Sequence, residues 1–261
     1  MRKTIILLSA LLLVLSVFSS CGKNAADEVR IKETVEDTDY SLTYYWGPPL
    51  EDFNEETVIQ MKEAGFDTVP LQRFPWDTDA LKEAVALLNK HGLYAAVSDG
   101  RISEIYNAQY LSSQKRIDKV VTEVVEDYKE YDNIREWIIC DEPSSTKFEV
   151  LGRIVNAFRR IDPERKTFIN LLPLYASEDM LGTATYEEYV DQFCEIVKPD
   201  FLCYDYYDFI GSGATQSRRG EYLRNMEIIK TAAKKYDLET RVIVLLTEHG
   251  PYSNVTPTEI A

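Results

Sequence analysis

The stretch EWIICDEPSS, residues 136–145, sets four apolar residues directly before two acids and a proline. An apolar run of that length with no polar face reads as a strand buried on both sides, as in parallel sheets covered by helices. Pro143 lacks the N–H that a continuing ladder would need. The strand therefore ends at once and delivers Asp141 and Glu142 at its carboxyl end.

Working outward, similar runs stand at 42–46 (LTYYW), 67–71 (DTVPL), 93–98 (LYAAVS), 167–172 (TFINLL), 201–206 (FLCYDY) and 241–246 (RVIVLL). Between them lie segments with helical spacing. The clearest is DALKEAVALLNKHG, where Leu81, Val85 and Leu88 recur on one face and Gly92 stands at the C-cap position. Strands alternating with helices predict an α/β fold with a parallel sheet. Two architectures fit, an open doubly wound sheet and a (β/α)8 TIM barrel. No Gly-rich dinucleotide turn follows the first run, where WGPPLEDF stands instead. Polar and aromatic residues crowd the carboxyl ends of most strands, which is where a barrel gathers its site. The barrel is the expectation, with the eighth strand falling beyond Ala261, so that the domain reads as truncated after strand seven. A seven-stranded barrel closed by other means is the alternative.

The two ends and the composition bound the function. Arg2 and Lys3 precede an apolar run from Ile5 to Phe18, followed by small residues and Cys21. Such a run is short for a helix that must span about 30 Å of hydrocarbon with about 20 residues. Residues 1–20 are read as a signal peptide, residues 21–40 as a flexible polar tether, and residues 41–261 as the barrel domain. The sequence FSSC resembles the lipobox of bacterial lipoproteins, with Phe18 in place of the usual Leu. That resemblance implies lipidation at Cys21, an N-terminal lipid anchor as the sole link to a membrane, and residence in the cell envelope. Ordinary secretion with cleavage nearby is the alternative. A formal charge of −15 in 261 residues disfavours nucleic acid as a partner, because phosphates would be repelled. Beyond Cys21, the cysteines Cys140, Cys194 and Cys203 are odd in number and read as small buried hydrophobes. With two histidines, His91 and His249, a His-based metal site is not expected, and no cofactor is called for.

In strand order the candidate site residues are Tyr45 and Trp46, Arg73 and Trp76, Asp99, Asp141 and Glu142, Asn170, Tyr204 with Asp205 and Tyr207, then Glu248 and His249. In a parallel barrel all of these approach one rim. Cleavage of a glycosidic bond needs an acid for the leaving oxygen and a carboxylate to stabilise or attack the anomeric carbon, and retaining enzymes hold the two about 5 to 5.5 Å apart. Opposite sides of a barrel mouth can provide that separation, and Glu142 and Glu248, just past the fourth and seventh predicted strands, are the pair expected. Trp46, Trp76, Tyr204 and Tyr207 offer faces on which the C–H side of a sugar can stack. The competing readings are capping or solvated loop acids for Asp141 and Glu142, a rim ion pair for Glu248, and plain loop packing for the tryptophans.

The chain resembles a clan-A glycoside hydrolase. DEP at Asp141–Pro143 is similar to the Asn-Glu-Pro that carries the acid/base in that clan. LLTEHG, residues 245–250, is similar to its seventh-strand ending, with His249 in the aromatic's place. The resemblance implies Glu142 as acid/base, Glu248 as nucleophile, a strand-six tyrosine (Tyr204 or Tyr207) hydrogen-bonded to the nucleophile, and a poly- or oligosaccharide as substrate. Asp141 departs from the pattern: an ionised Asp only accepts hydrogen bonds, which alters the substrate contact, and it also raises the pKa of Glu142. DEP, together with NLLP and YDYYDF, further resembles barrel lipoproteins of gut Bacteroidetes, implying glycan handling. A barrel of the same ancestry that binds glycan without cleaving it is the alternative.

Overall fold

Among the described residues six strands form one parallel sheet: β1 (Thr68–Leu71), β2 (Tyr94–Val97), β3 (Ile134–Asp141), β4 (Lys166–Leu171), β5 (Leu202–Asp205) and β6 (Thr240–Ile243). Their spatial order is their sequence order, with every neighbouring pair parallel. A doubly wound sheet reverses direction at a switch point. This one never does, and the result is the curled half of a (β/α) barrel. The computed structural model describes residues 42–73, 77–108, 113–207, 219–245 and Tyr252. The expected signal peptide, tether and Cys21, together with Trp76, Glu248 and His249, lie outside those residues.

The segment 42–46 is not a strand, contrary to the sequence reading. It runs beside β1 through one backbone bond, from Asp67 N to Leu42 O (3.2 Å), and bends at Tyr45 and Trp46. Pro70 within β1 has no N–H to offer a further neighbour, and Pro48 and Pro49 have none to return.

Eight α-helices lie among the described residues: α1 (Glu55–Glu63), α2 (Thr78–Lys90), α3 (Gly100–Asn107), α4 (Gln114–Asp127), α5 (Phe148–Ile161), α6 (Glu178–Leu181), α7 (Tyr186–Val197) and α8 (Arg219–Tyr236). Their starts are fixed by short polar side chains that accept from otherwise orphaned first-turn N–H groups. Asn54 accepts from Thr57 N, Asp77 from Asp79 N and Ala80 N, and Thr185 from Glu188 N. No described helix is long and apolar enough to cross a membrane.

Strand alternation divides the core in two. Ala95, Val97, Trp137, Ile139, Ile169, Leu171, Leu202 and Tyr204 belong to the large cluster under the helices. Ala96, Ile138, Phe168, Phe201 and Cys203 form a small second cluster on the concave face, with Tyr45 and Ile243 packed against it. Cys140, Cys194 and Cys203 are free thiols in these layers. Trp137 is the largest fully buried side chain among the described residues, and its Nε1 donates to Asp162 Oδ2 at 2.7 Å.

Candidate active site

The acids of the opening stretch reach the concave face because β3 contains a bulge. Ile138 pairs with Phe168, but Cys140 pairs with Ile169, so Ile139 is an extra residue in the ladder. Ile139 and Cys140 both pack into the helix-side core. The slip of one residue reverses the side on which every later residue projects, and Asp141 therefore falls into register with Asn170 on the concave side. Next, Glu142 adopts φ +45°, the left-handed region that side-chain-bearing residues seldom occupy. Its N–H donates to Asn170 O at 2.9 Å.

Asn170, 1% exposed, is the centre of the constellation. Its Nδ2 donates to Asp141 Oδ1 at 3.0 Å and to Asp205 Oδ1 at 3.3 Å, and its Oδ1 lies 3.8 Å from Cys203 Sγ. One neutral amide thus holds two carboxylates from β3 and β5 at the same rim. Burial, with Asp141 nearby, raises Asp205 from the usual range to about 6, against the opposing hydrogen bonds from Asn170 and Tyr207. Glu142 is pushed up to about 7, first by loss of hydration and then by the charges of Asp205 and Asp141. Glu142 keeps an exposed surface, yet the protein around its carboxyl replaces enough water to disfavour the charge.

Aromatic side chains flank the acids. Tyr207 meets Tyr252 edge to face at 4.9 Å, and the hydroxyls of Tyr252 and Tyr175 lie 3.0 Å apart. Tyr175 in turn packs edge-on against Tyr206 at 5.1 Å. On the opposite flank Tyr45 packs on Phe168, and its hydroxyl is buried beside Asp141 without a well-formed hydrogen bond. Trp46 is 62% exposed, and the Arg73 guanidinium lies 5.8 Å from its ring centroid.

Of the residues expected from the sequence, the described structure brings Asp141, Glu142, Asn170, Asp205, Tyr207 and Tyr45 to one rim, with Trp46 and Arg73 at its edge. Two are placed elsewhere. Tyr204 alternates away from Asp205 and is buried under the helices. Asp99, 2% exposed, is occupied by structure: it caps α3 by accepting from Arg101 N, takes two bonds from the Arg101 guanidinium at 2.9 Å each, and accepts from Tyr128 OH at 3.2 Å. The sequence SDGR contained that signal, a capping Asp with an Arg two residues on. Tyr175 was missed, and the only cue was an aromatic in the loop after the NLLP strand end. Among the described residues no group of His, Cys, Asp and Glu is arranged to hold a metal ion.

No protein-family model and no curated protein matches the sequence. Among solved structures the chain is similar to a Bacteroides thetaiotaomicron VPI-5482 protein provisionally assigned as an alpha-L-fucosidase, with 16% identity and a TM-score of 0.52 over 85% of this chain and 79% of that one. It is similar at lower scores to a family 1 β-glucosidase from Thermotoga maritima (14% identity, TM-score 0.48, 74% and 66% covered). A third is the FMN-binding β-glucuronidase of Faecalibacterium prausnitzii L2-6 (14%, 0.48, 79% and 30%), of which this chain spans less than a third of the length. The likeness to the first of these is one of fold, a curled parallel (β/α) sheet of which six strands are described here.

Proposed function

We propose that the chain is a glycoside hydrolase acting on a poly- or oligosaccharide by a retaining, two-carboxylate mechanism. Glu142 donates the proton to the leaving oxygen and later removes one from water, while Glu248 attacks the anomeric carbon. What carries this reading is the geometry at Glu142: an exposed residue at the carboxyl-terminal rim of a half-barrel, fixed by its N–H to Asn170 O, where lost hydration and the nearby charges of Asp205 and Asp141 push its carboxyl up to about 7. Glu248 follows β6 in the sequence, and β6 ends at the same rim as β3. Exposed Trp46 and the tyrosines Tyr207 and Tyr252 supply stacking faces for sugar rings.

The test is hydrolysis of aryl glycosides and a polysaccharide panel by the full chain, with Glu142→Gln and Glu248→Gln alongside. Loss of a proton donor or nucleophile lowers the rate by about 10²-fold or more, and the wild-type rate should fall as pH rises above about 7, where Glu142 ionises. Background rates in all three proteins, with retained glycan binding, would instead support the binding-only reading that the exposed Trp46 also favours. For location, we propose a lipid anchor on Cys21 at the bacterial envelope. Labelled fatty acid should enter the wild-type chain in cells and be absent from Cys21→Ser.

A further inference from the structure

Tyr189 lies on α7, 0% exposed, among Phe148, Tyr186 and the other apolar side chains beneath the sheet. A hydroxyl in such a layer must find polar partners, and this one finds two on separate rim loops. It donates to Pro143 O at 2.7 Å and accepts from Leu172 N at 3.4 Å. Pro143 follows Glu142, and Leu172 stands two residues after Asn170. Both loops have just left the ladder, so neither group has a strand partner. The loop after β3 and the loop after β4 are thereby pinned to one side chain from below, while Glu142 N to Asn170 O ties them from above.

We propose that Tyr189 is a positioning residue that holds Glu142 in its left-handed conformation beside Asp141 and Asp205. A residue with side chain at φ +45° persists only where its surroundings enforce it. The carbonyl of Pro143, the residue after Glu142, is the point at which α7 applies that constraint. Without the hydroxyl, the Pro143 carbonyl has to turn toward water to be satisfied, the Pro143–Ser144 peptide rotates, the turn before it relaxes, and the Glu142 carboxyl moves away from the two aspartates.

The experiment is an NMR titration of the Glu142 side-chain carboxyl in wild type, Tyr189→Phe and Tyr186→Phe, with thermal unfolding of each. Tyr186 is the control because its buried hydroxyl makes no hydrogen bond to either loop. In Tyr189→Phe the Glu142 midpoint should drop by about one pH unit toward the ordinary carboxylate range, whereas Tyr186→Phe should leave it in place. If Tyr189→Phe unfolds earlier yet leaves the Glu142 titration unmoved, or if both variants move it equally, the hydroxyl merely satisfies buried backbone and the proposal falls. Circular dichroism at the titration temperature establishes that each variant is folded. An activity arm rests on the proton-donor reading: the alkaline limb of the pH–rate profile should shift down with the titration in Tyr189→Phe. An absence of any hydrolysis would overturn that reading and leave the titration result standing on its own.

Discussion

Asp205 illustrates how a single carboxyl couples the rim to stability. It is nearly fully buried, and its midpoint is raised from 3.8 to about 6. An acid whose folded-state midpoint is raised favours folding while it is protonated. The contribution is complete below about pH 4 and is lost as pH rises through about 6. Asp205→Asn removes the charge and keeps an oxygen that can accept from Asn170. It should therefore match wild type near pH 4 and exceed it by about 1 to 3 kcal/mol at pH 8, as measured by urea unfolding at both values. A stabilised variant that has lost activity would be consistent with a carboxylate kept for chemistry at the expense of the fold.

At the scale of elements, α5 and α7 approach so closely that only a hydrogen fits between them at one point. A Cβ on Gly152 would lie 2.5 Å from Ile196 O and 3.4 Å from Val197 Cα. Replacing a mid-helix Gly with Ala ordinarily stabilises by about 1 kcal/mol. Here the sign should reverse, with Gly152→Ala losing about 1 to 3 kcal/mol through forced separation of the helices, read from chemical denaturation. Most elements were legible in the sequence, because apolar runs and helical spacing survive tertiary context. The segment 42–46 misled because its composition is that of a strand while its proline-rich surroundings cannot supply a ladder. The bulge in β3 left no trace in the pattern: Trp137, Ile138, Ile139 and Cys140 are all apolar, so an inserted residue between faces changes no polarity. That one slip decides which way Asp141 points. The contact of Tyr189 was equally hidden, since its partner is a backbone carbonyl 46 positions away, and carbonyls carry no signature in a sequence.

For the molecule as a whole, the formal charge of −15 implies self-repulsion that salt should relieve. The ion pairs at the surface, such as Lys90–Glu55 and Lys235–Asp191, are exposed and individually worth little. Raising sodium chloride from 20 to about 500 mM, several-fold shortening the screening length, should therefore raise the thermal midpoint by a few degrees. A fall would mean that attractive pairs dominate. The parallel sheet and the acids at one rim were readable because barrel topology brings distant strand ends together whatever their spacing. The occupation of Asp99 was readable only in part, because the bonds from Arg101 are local and foreshadowed by SDGR, whereas the bond from Tyr128, 29 positions on, is a contact that only packing creates.

The unbroken order of strands carries one further implication. Among the six described strands each bonds to the one made just before it, so none of these pairings has to wait for a distant part of the polypeptide. Closure of each crossover spans only a few tens of residues, which keeps loop entropy modest and allows progressive growth from the first unit outward. A chain built in this way can acquire its form while it is still being synthesised, each new turn of helix and strand setting on the edge the previous one left open.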